Sequence, residues 1–160
     1  MNTMKQETIR PIEEGDFERF AKLAAQLGYP VDPAFAAAQL KKEKTRADAV
    51  TFVFDQEGVG VVGWVACRLV ERTYRRAYGE VAGLVIDGAH RSRGYGAELL
   101  ARAEEWFESL GVAEVLVRTN TQRGEAHRFY DREGYTRSKT QTVFTKELIV
   151  NELRMSELKQ

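Results

Sequence analysis

The chain has 160 residues, enough for one domain with a buried core, and its 24 Lys and Arg balance 24 Asp and Glu for a formal net charge of +0. That balance, with 43% hydrophobic and 30% charged residues and three prolines, describes a globular protein with no global field toward nucleic acid or a membrane surface. The single Cys67 and two histidines, widely separated, exclude an internal disulfide and make no metal-ligand set; with no signal-like or membrane-length apolar run, a cytoplasmic protein is expected.

Residues 1–160 read as a single domain, with 149–160 as a frayed C-terminal tail. "ETIRPI" reads as a short strand. Asp16 is placed to cap a helix whose Phe17, Phe20, Ala21, Ala24 and Leu27 recur at helical spacing, with Gly28 and Pro30 ending it. Asp32 followed by Pro33 opens a second helix. "AVTFVFD" and "VGVVGWVACRLV" flank "QEGV" as a hairpin, and after the polar turn "ERTYRRA" comes a third long strand, "YGEVAGLVID". Gly83 within it predicts a bulge or a close backbone approach. The period then switches, and Leu99, Leu100, Ala103, Trp106, Phe107 and Leu110 mark one face of a helix ended by Gly111. "AEVLVRTN" reads as a strand, "GEAHRFYDRE" as a short helix and "TQTVFTKEL" as a last strand. The fold class expected is α+β, a mixed and mostly antiparallel central sheet with flanking helices in the order β-α-α-β-β-β-α-β-α-β.

One stretch carries chemistry. "HRSRGYGAELL" sets Arg91 and Arg93 before Gly94 and Gly96 at a helix start. A helix N-terminus presents N–H groups and partial positive charge, glycines leave room for an oxyanion, and the arginines add charge beside it, a combination suited to a pyrophosphate. A dinucleotide fingerprint would need a third glycine, and a Walker-type loop would need Gly-Lys-Ser/Thr; neither follows.

"RSRGYG" resembles the Arg/Gln-x-x-Gly-x-Gly/Ala signature of the GCN5-related N-acetyltransferases, and "AHRFYDREGY" resembles that family's second motif, a helix carrying Phe-Tyr followed by Gly and an aromatic. The resemblance spans nearly the whole chain and is weakest in the first 50 residues. It implies an acyl-CoA N-acyltransferase fold, acetyl-CoA as cosubstrate, and transfer of acetyl to a primary amine of a small molecule or peptide by direct attack in a ternary complex. It also implies a homodimer. Carried over by position, Leu84, Val85 and Ile86 would offer backbone groups to the pantetheine arm, with the N–H of Val85 as donor to the thioester oxygen. Arg91, Ser92, Arg93, Gly94, Tyr95, Gly96 and Ala97 would surround the pyrophosphate. Two departures stand out: Ser92 occupies a position that is often glycine, and Arg123 stands where the second motif often opens with asparagine, leaving Asn120 as a cofactor contact.

For catalysis the resemblance places Tyr130 where the family has its general acid, and Glu80 where several members carry a glutamate that takes the amine's proton. A tyrosine near 10 donating to a thiolate whose acid is near 8.5 is uphill by about 2 kcal/mol, so a hydrogen bond with late transfer is the expected role. Glu80 must act on the more acidic adduct, or have its carboxyl raised by burial, because an alkylammonium lies about six pKa units above it. Simpler readings stand beside these: Tyr130 packed beside Phe129, Glu80 on a solvated strand face, Cys67 and Trp64 in the core with Trp106, His127 on the surface, and "RTYRR" as a solvated turn bordering the substrate cleft. Glu13, Glu14 and Asp16 could hold a cationic acceptor or form a solvated acidic face. The alternative of another class is a non-catalytic acyl-CoA sensor. A nucleic-acid-binding role is opposed by the neutral charge and the lack of a basic helix with interleaved aromatics.

Overall fold

The computed structural model describes residues 7–150, which fall into two compact units divided between Thr119 and Asn120. In the first unit, β1 (Glu7–Pro11) leads through a one-turn 3-10 helix (Glu14–Asp16) into α1 (Phe17–Gln26) and α2 (Pro33–Glu43). Three long strands follow, β2 (Ala49–Gln56), β3 (Gly60–Arg72) and β4 (Arg75–Ile86), then α3 (Tyr95–Ser109) and β5 (Val115–Val117). The second unit holds α4 (Gly124–Arg132). No helix among the described residues is long and apolar enough to cross a membrane.

The strands lie in the order β1-β2-β3-β4-β5, antiparallel throughout except for the parallel β4–β5 pair, which the α3 crossover makes possible. The mixed, mostly antiparallel sheet with flanking helices is the fold class expected from the sequence. Period-2 alternation sends Val53, Trp64 and Val85 into a core shared with Phe17, Leu23 and Leu40 of α1 and α2. Tyr95 stacks on Phe54 at 4.1 Å, and Leu99, Leu100, Ala103 and Phe107 of α3 are buried. Leu110 is exposed and Trp106 only half-buried, so the apolar stripe of α3 is narrower than its spacing predicts.

The expected caps divide. Asp32 Oδ1 accepts the Ala34 N–H at 3.1 Å, capping α2 with Pro33 in its first turn. Asp16 sits at the α1 N-cap but gives α1 no side-chain cap. Its carboxylate instead accepts Arg10 Nη1 at 2.7 Å and the Glu13 N–H at 2.9 Å, because a charge-assisted pair outweighs a neutral amide donor. That pairing leaves Asp16 with a cation of its own chain rather than of an acceptor. Gly83 meets the expectation of a bulge, the β3–β4 register slipping beside it between Ala66 and Cys67, but what comes close is a side chain rather than a backbone: a Cβ there would lie 2.8 Å from the Trp64 ring. Trp64 is held in turn by Phe20, stacked at 4.3 Å.

Two expectations fail. The strand expected in "AEVLVRTN" shortens to Val115–Val117. The last strand expected in "TQTVFTKEL" does not form; residues 136–150 carry no helix or strand, and Val143, Phe144 and Leu148 are exposed. β-propensity expresses packing on a partner strand, and no strand is paired with this segment. Most of the expected frayed tail, residues 151–160, lies outside the described residues.

Candidate active site

β4 organises the first unit's share of the site. Its ladder with β5 covers only Gly79–Val81 against Val115–Val117, so from Ala82 to Ile86 it is paired by β3 alone. The Asp87 N–H donates to the Val62 carbonyl at 2.7 Å, which fixes the phase of the alternation. Backbone groups of Val85 therefore face β3, while those of Leu84 and Ile86 face the side that β5 has left. The Ile86 carbonyl accepts Arg91 Nε on that side at 3.3 Å. This corrects the expected role of Val85: its N–H faces Trp64 and its side chain is in the core, so Leu84 supplies the available N–H instead.

After β4 the chain makes a one-turn 3-10 helix (Gly88–His90) and reaches the Arg91–Gly94 turn. A network that sequence reasoning missed fixes this loop to α1. Asp87 accepts Arg19 Nη2 at 2.8 Å and Gln26 Nε2 at 3.1 Å, and Gln26 Oε1 accepts the Gly88 N–H at 2.9 Å. Hydrogen bonding from Gln26, then Arg19, holds the Asp87 carboxyl down at about 2. His90 closes the turn, its N–H donating to the Asp87 carbonyl at 2.8 Å. No sequence signal marked Arg19 or Gln26, since Asp87 and Gly88, which they hold, lie more than 60 residues away.

Gly94 is the N-cap of α3 with φ 81°, and a Cβ there would meet nothing within 4 Å. Gly94 itself gives α3 no side-chain cap, and the earliest intrahelical backbone bond is Glu98 N–H to Gly94 O at 3.2 Å. Arg91, Ser92 and Arg93 are exposed around it. Ser92 has φ 63°, which explains why glycine suits that position: an L-residue there costs about 1 kcal/mol or more. Tyr95 departs from expectation, since its ring is buried on Phe54 and only its backbone remains at the helix end.

Glu80 lies on β4 with its side chain 19% exposed, and its carboxylate forms an ion pair with Arg118 Nη1, just beyond β5. The Arg72 guanidinium, then that of Arg118, lowers the Tyr78 phenol below its ordinary range. Arg118 carried no motif signal. Cys67 is buried, its thiol pushed up to about 12 by desolvation and by Glu43, and is inert.

In the second unit Tyr130 sits on α4, edge-on to Phe129 at 5.0 Å and to Tyr135 at 5.6 Å. Burial pushes its phenol up to about 12. Asn120 Oδ1 accepts the Gln122 N–H at 2.9 Å and its carbonyl lies 2.9 Å from His127 Nε2, so its amide shapes the turn before α4. The structure thus gathers Glu80, Leu84–Ile86 and Arg91–Ala97 within one unit, with Asn120 and Tyr130 in the other.

The chain that carries this half-paired strand and the helix start at Gly94 matches the acetyltransferase (GNAT) family over residues 11–135. The chain belongs to that family. It is 37% identical over 79 residues to the aminoalkylphosphonate N-acetyltransferase of Salmonella typhimurium, covering 49% of this chain and 51% of that protein. It is 42% identical over 57 residues to the uncharacterized N-acetyltransferase YhdJ of Bacillus subtilis, covering 35% of this chain and 40% of that one. The matches thus span about half the length of these curated relatives or less. Among solved structures, the aminoglycoside N-acetyltransferase AAC(6')-Iy in complex with CoA superposes with a TM-score of 0.81 at 16% identity, over 92% of this chain and 99% of that one. A GNAT family acetyltransferase of Staphylococcus aureus superposes with a TM-score of 0.70 at 25% identity, over 91% and 100%.

Proposed function

We propose that this protein is an N-acetyltransferase that moves acetyl from acetyl-CoA to a primary amine by direct attack in a ternary complex. The observation that carries the reading is the open seat at Gly94: left-handed backbone, room where a Cβ would stand, and the N-terminus of α3 directly behind it. Arg91 and Arg93 flank that seat and would hold a pyrophosphate with Ser92, Gly96 and Ala97, while Leu84 and Ile86 offer backbone groups to an extended arm. The family and the amine-acetylating relatives support the same reading.

Acetyl-CoA, when bound, supplies an acyl group activated as a thioester. The acceptor nitrogen forms the new C–N bond as the C–S bond breaks, and the electron pair leaves on sulfur. Glu80 takes the proton shed by the nitrogen, directly or through water, and returns it to solvent. The Leu84 N–H would stabilise charge on the carbonyl oxygen. Tyr130 donates a hydrogen bond to the departing sulfur. With its phenol at about 12, complete donation to a thiolate whose acid is near 8.5 is uphill by about 5 kcal/mol, so polarisation rather than full proton transfer is its role.

We further propose a cytoplasmic homodimer. The exposed Val143, Phe144, Leu148 and Ile149 support it, since an apolar, strand-patterned segment left bare favours self-association. The central test is acetyl-CoA-dependent thiol release with a panel of primary amines, run with wild type and with Glu80→Gln. Turnover with at least one amine, reduced about 10- to 1,000-fold by the substitution, is expected. Acetyl-CoA binding without thiol release from any amine would instead indicate a sensor.

A further inference from the structure

The ion pair between Glu80 and Arg118 has no part in the acetyl-transfer scheme as it stands. Arg68 lies directly opposite Glu80 across the β3 ladder, yet the carboxylate pairs on the other flank, where Glu80 Oε2 accepts Arg118 Nη1 from the end of β5. Glu80 is in register with Leu116, so Arg118, two residues further on, shares its sheet face. The β4–β5 ladder stops at Val81 and Val117, which puts Glu80 one residue before the last rung and Arg118 one residue after it. The pair therefore spans the point where the two strands part, at the root of the open stretch of β4. Glu80 is the sheltered partner, its side chain 19% exposed against 56% for Arg118. Among the described residues only Oε2 of this carboxylate has a hydrogen-bond partner.

We propose that Arg118 is the positioning residue for Glu80: it holds Oε2 where β4 and β5 part, so that Oε1 takes the proton from the attacking nitrogen. This rests on the reading of Glu80 as proton acceptor in the N-acetyltransferase given above. A glutamate side chain is long and turns freely, so a base carried on it is productive only when its carboxylate is fixed. A guanidinium fixes it better than an ammonium, because its planar N–H fork sets direction as well as distance. In the step itself the N–H bond of the nitrogen breaks and its proton passes to Oε1, directly or through water. Arg118 keeps its own protons and its charge throughout, so it orients the base without joining the transfer.

The test is a double-mutant cycle on thiol release from acetyl-CoA with the most active amine of the panel. Acetyl-CoA binding is measured separately by calorimetry, and the fold of each variant by circular dichroism. Arg118→Met is expected to lower kcat about tenfold, with acceptor KM and acetyl-CoA affinity changed by less than about twofold. Arg118→Lys keeps the charge without the fork and should return kcat to within about threefold of wild type. With Glu80→Gln already in place, Arg118→Met should cost less than about a further twofold, because the group it positions is gone. An equal loss with and without Glu80, a kcat unmoved by Arg118→Met, or a loss carried by acetyl-CoA affinity makes Arg118 a clasp of the sheet only. Each of those results overturns the proposal and leaves the transferase reading intact. If Arg118→Met does not fold, Arg118→Lys with and without Glu80→Gln decides by the same criterion. A wild type that binds acetyl-CoA and releases thiol with no amine overturns both.

Discussion

Asp87 and Arg19, 68 residues apart in sequence, meet at 2.8 Å and tie α1 to the loop that leads into the Arg91–Gly94 turn. The pair matters because that turn gains its geometry from its anchors, and Gln26 adds two more bonds to the same loop. Asp87→Asn is expected to lower stability by about 1–2 kcal/mol at neutral pH, since it leaves Arg19 without a charged partner. The folded Asp87 carboxyl, at about 2, lies below its unfolded value near 3.9, so its contribution is full above about pH 4 and is lost as pH falls through about 2. Thermal melts of both proteins across that range should therefore converge on acidification. A difference that stays constant down to about pH 2 would show that Asp87 is not held ionised by this network.

Gly94→Val combines two faults, a β-branched residue at φ 81° and a side chain in the proposed phosphate seat. Acetyl-CoA affinity measured by calorimetry should drop about tenfold or more, with the fold retained by circular dichroism. Unchanged affinity in a folded variant removes this turn from the cofactor site.

Ser92 separates backbone strain from binding. Ser92→Gly relieves the φ of 63° but loosens the unfolded chain, so stability should change by no more than about 0.5 kcal/mol. Ser92→Val should cost about 1–2 kcal/mol in denaturant titration, and a neutral result would place the residue outside the left-handed region.

Tyr130→Phe should lower kcat about 10- to 100-fold with acetyl-CoA affinity nearly unchanged, the mark of an interaction made in the transition state. With the phenol at about 12, it stays protonated through the working range, so the wild-type to variant ratio should be flat from about pH 6 to pH 10. A ratio that closes toward pH 10 would mean that the hydroxyl titrates near its ordinary value.

The bare segment near the C-terminal end offers a test of assembly. Phe144→Asp with Leu148→Asp should convert a dimer into a monomer by light scattering at about micromolar concentration, as charge at an apolar contact costs several kcal/mol. A wild type that is already monomeric at high concentration removes the homodimer.

Local pattern was enough for the helices and the long strands. Phe17 to Leu27 repeats at helical spacing, the β2–β3 hairpin is punctuated at Gly58 and Gly60, and Asp32-Pro33 starts α2 where its capping chemistry requires. The Arg91–Gly96 turn was legible because glycine and a helix start have short-range signatures. What was not legible depends on partners distant in sequence. The expected strand at "TQTVFTKEL" had suitable residues and no ladder to join, and Asp16 exchanged its cap for Arg10.

The sequence by itself determined the order of elements through α4, the family motifs and the glycine-led start of α3, because each rests on periodicity or backbone chemistry within a few residues. Only the tertiary structure decided that Val85 faces β3 while Leu84 faces the open side, that Arg19 and Gln26 brace the loop through Asp87, and that Arg118 pairs with Glu80. Strand register and side-chain pairing are set when separate segments meet, and their energies compete only in the folded packing.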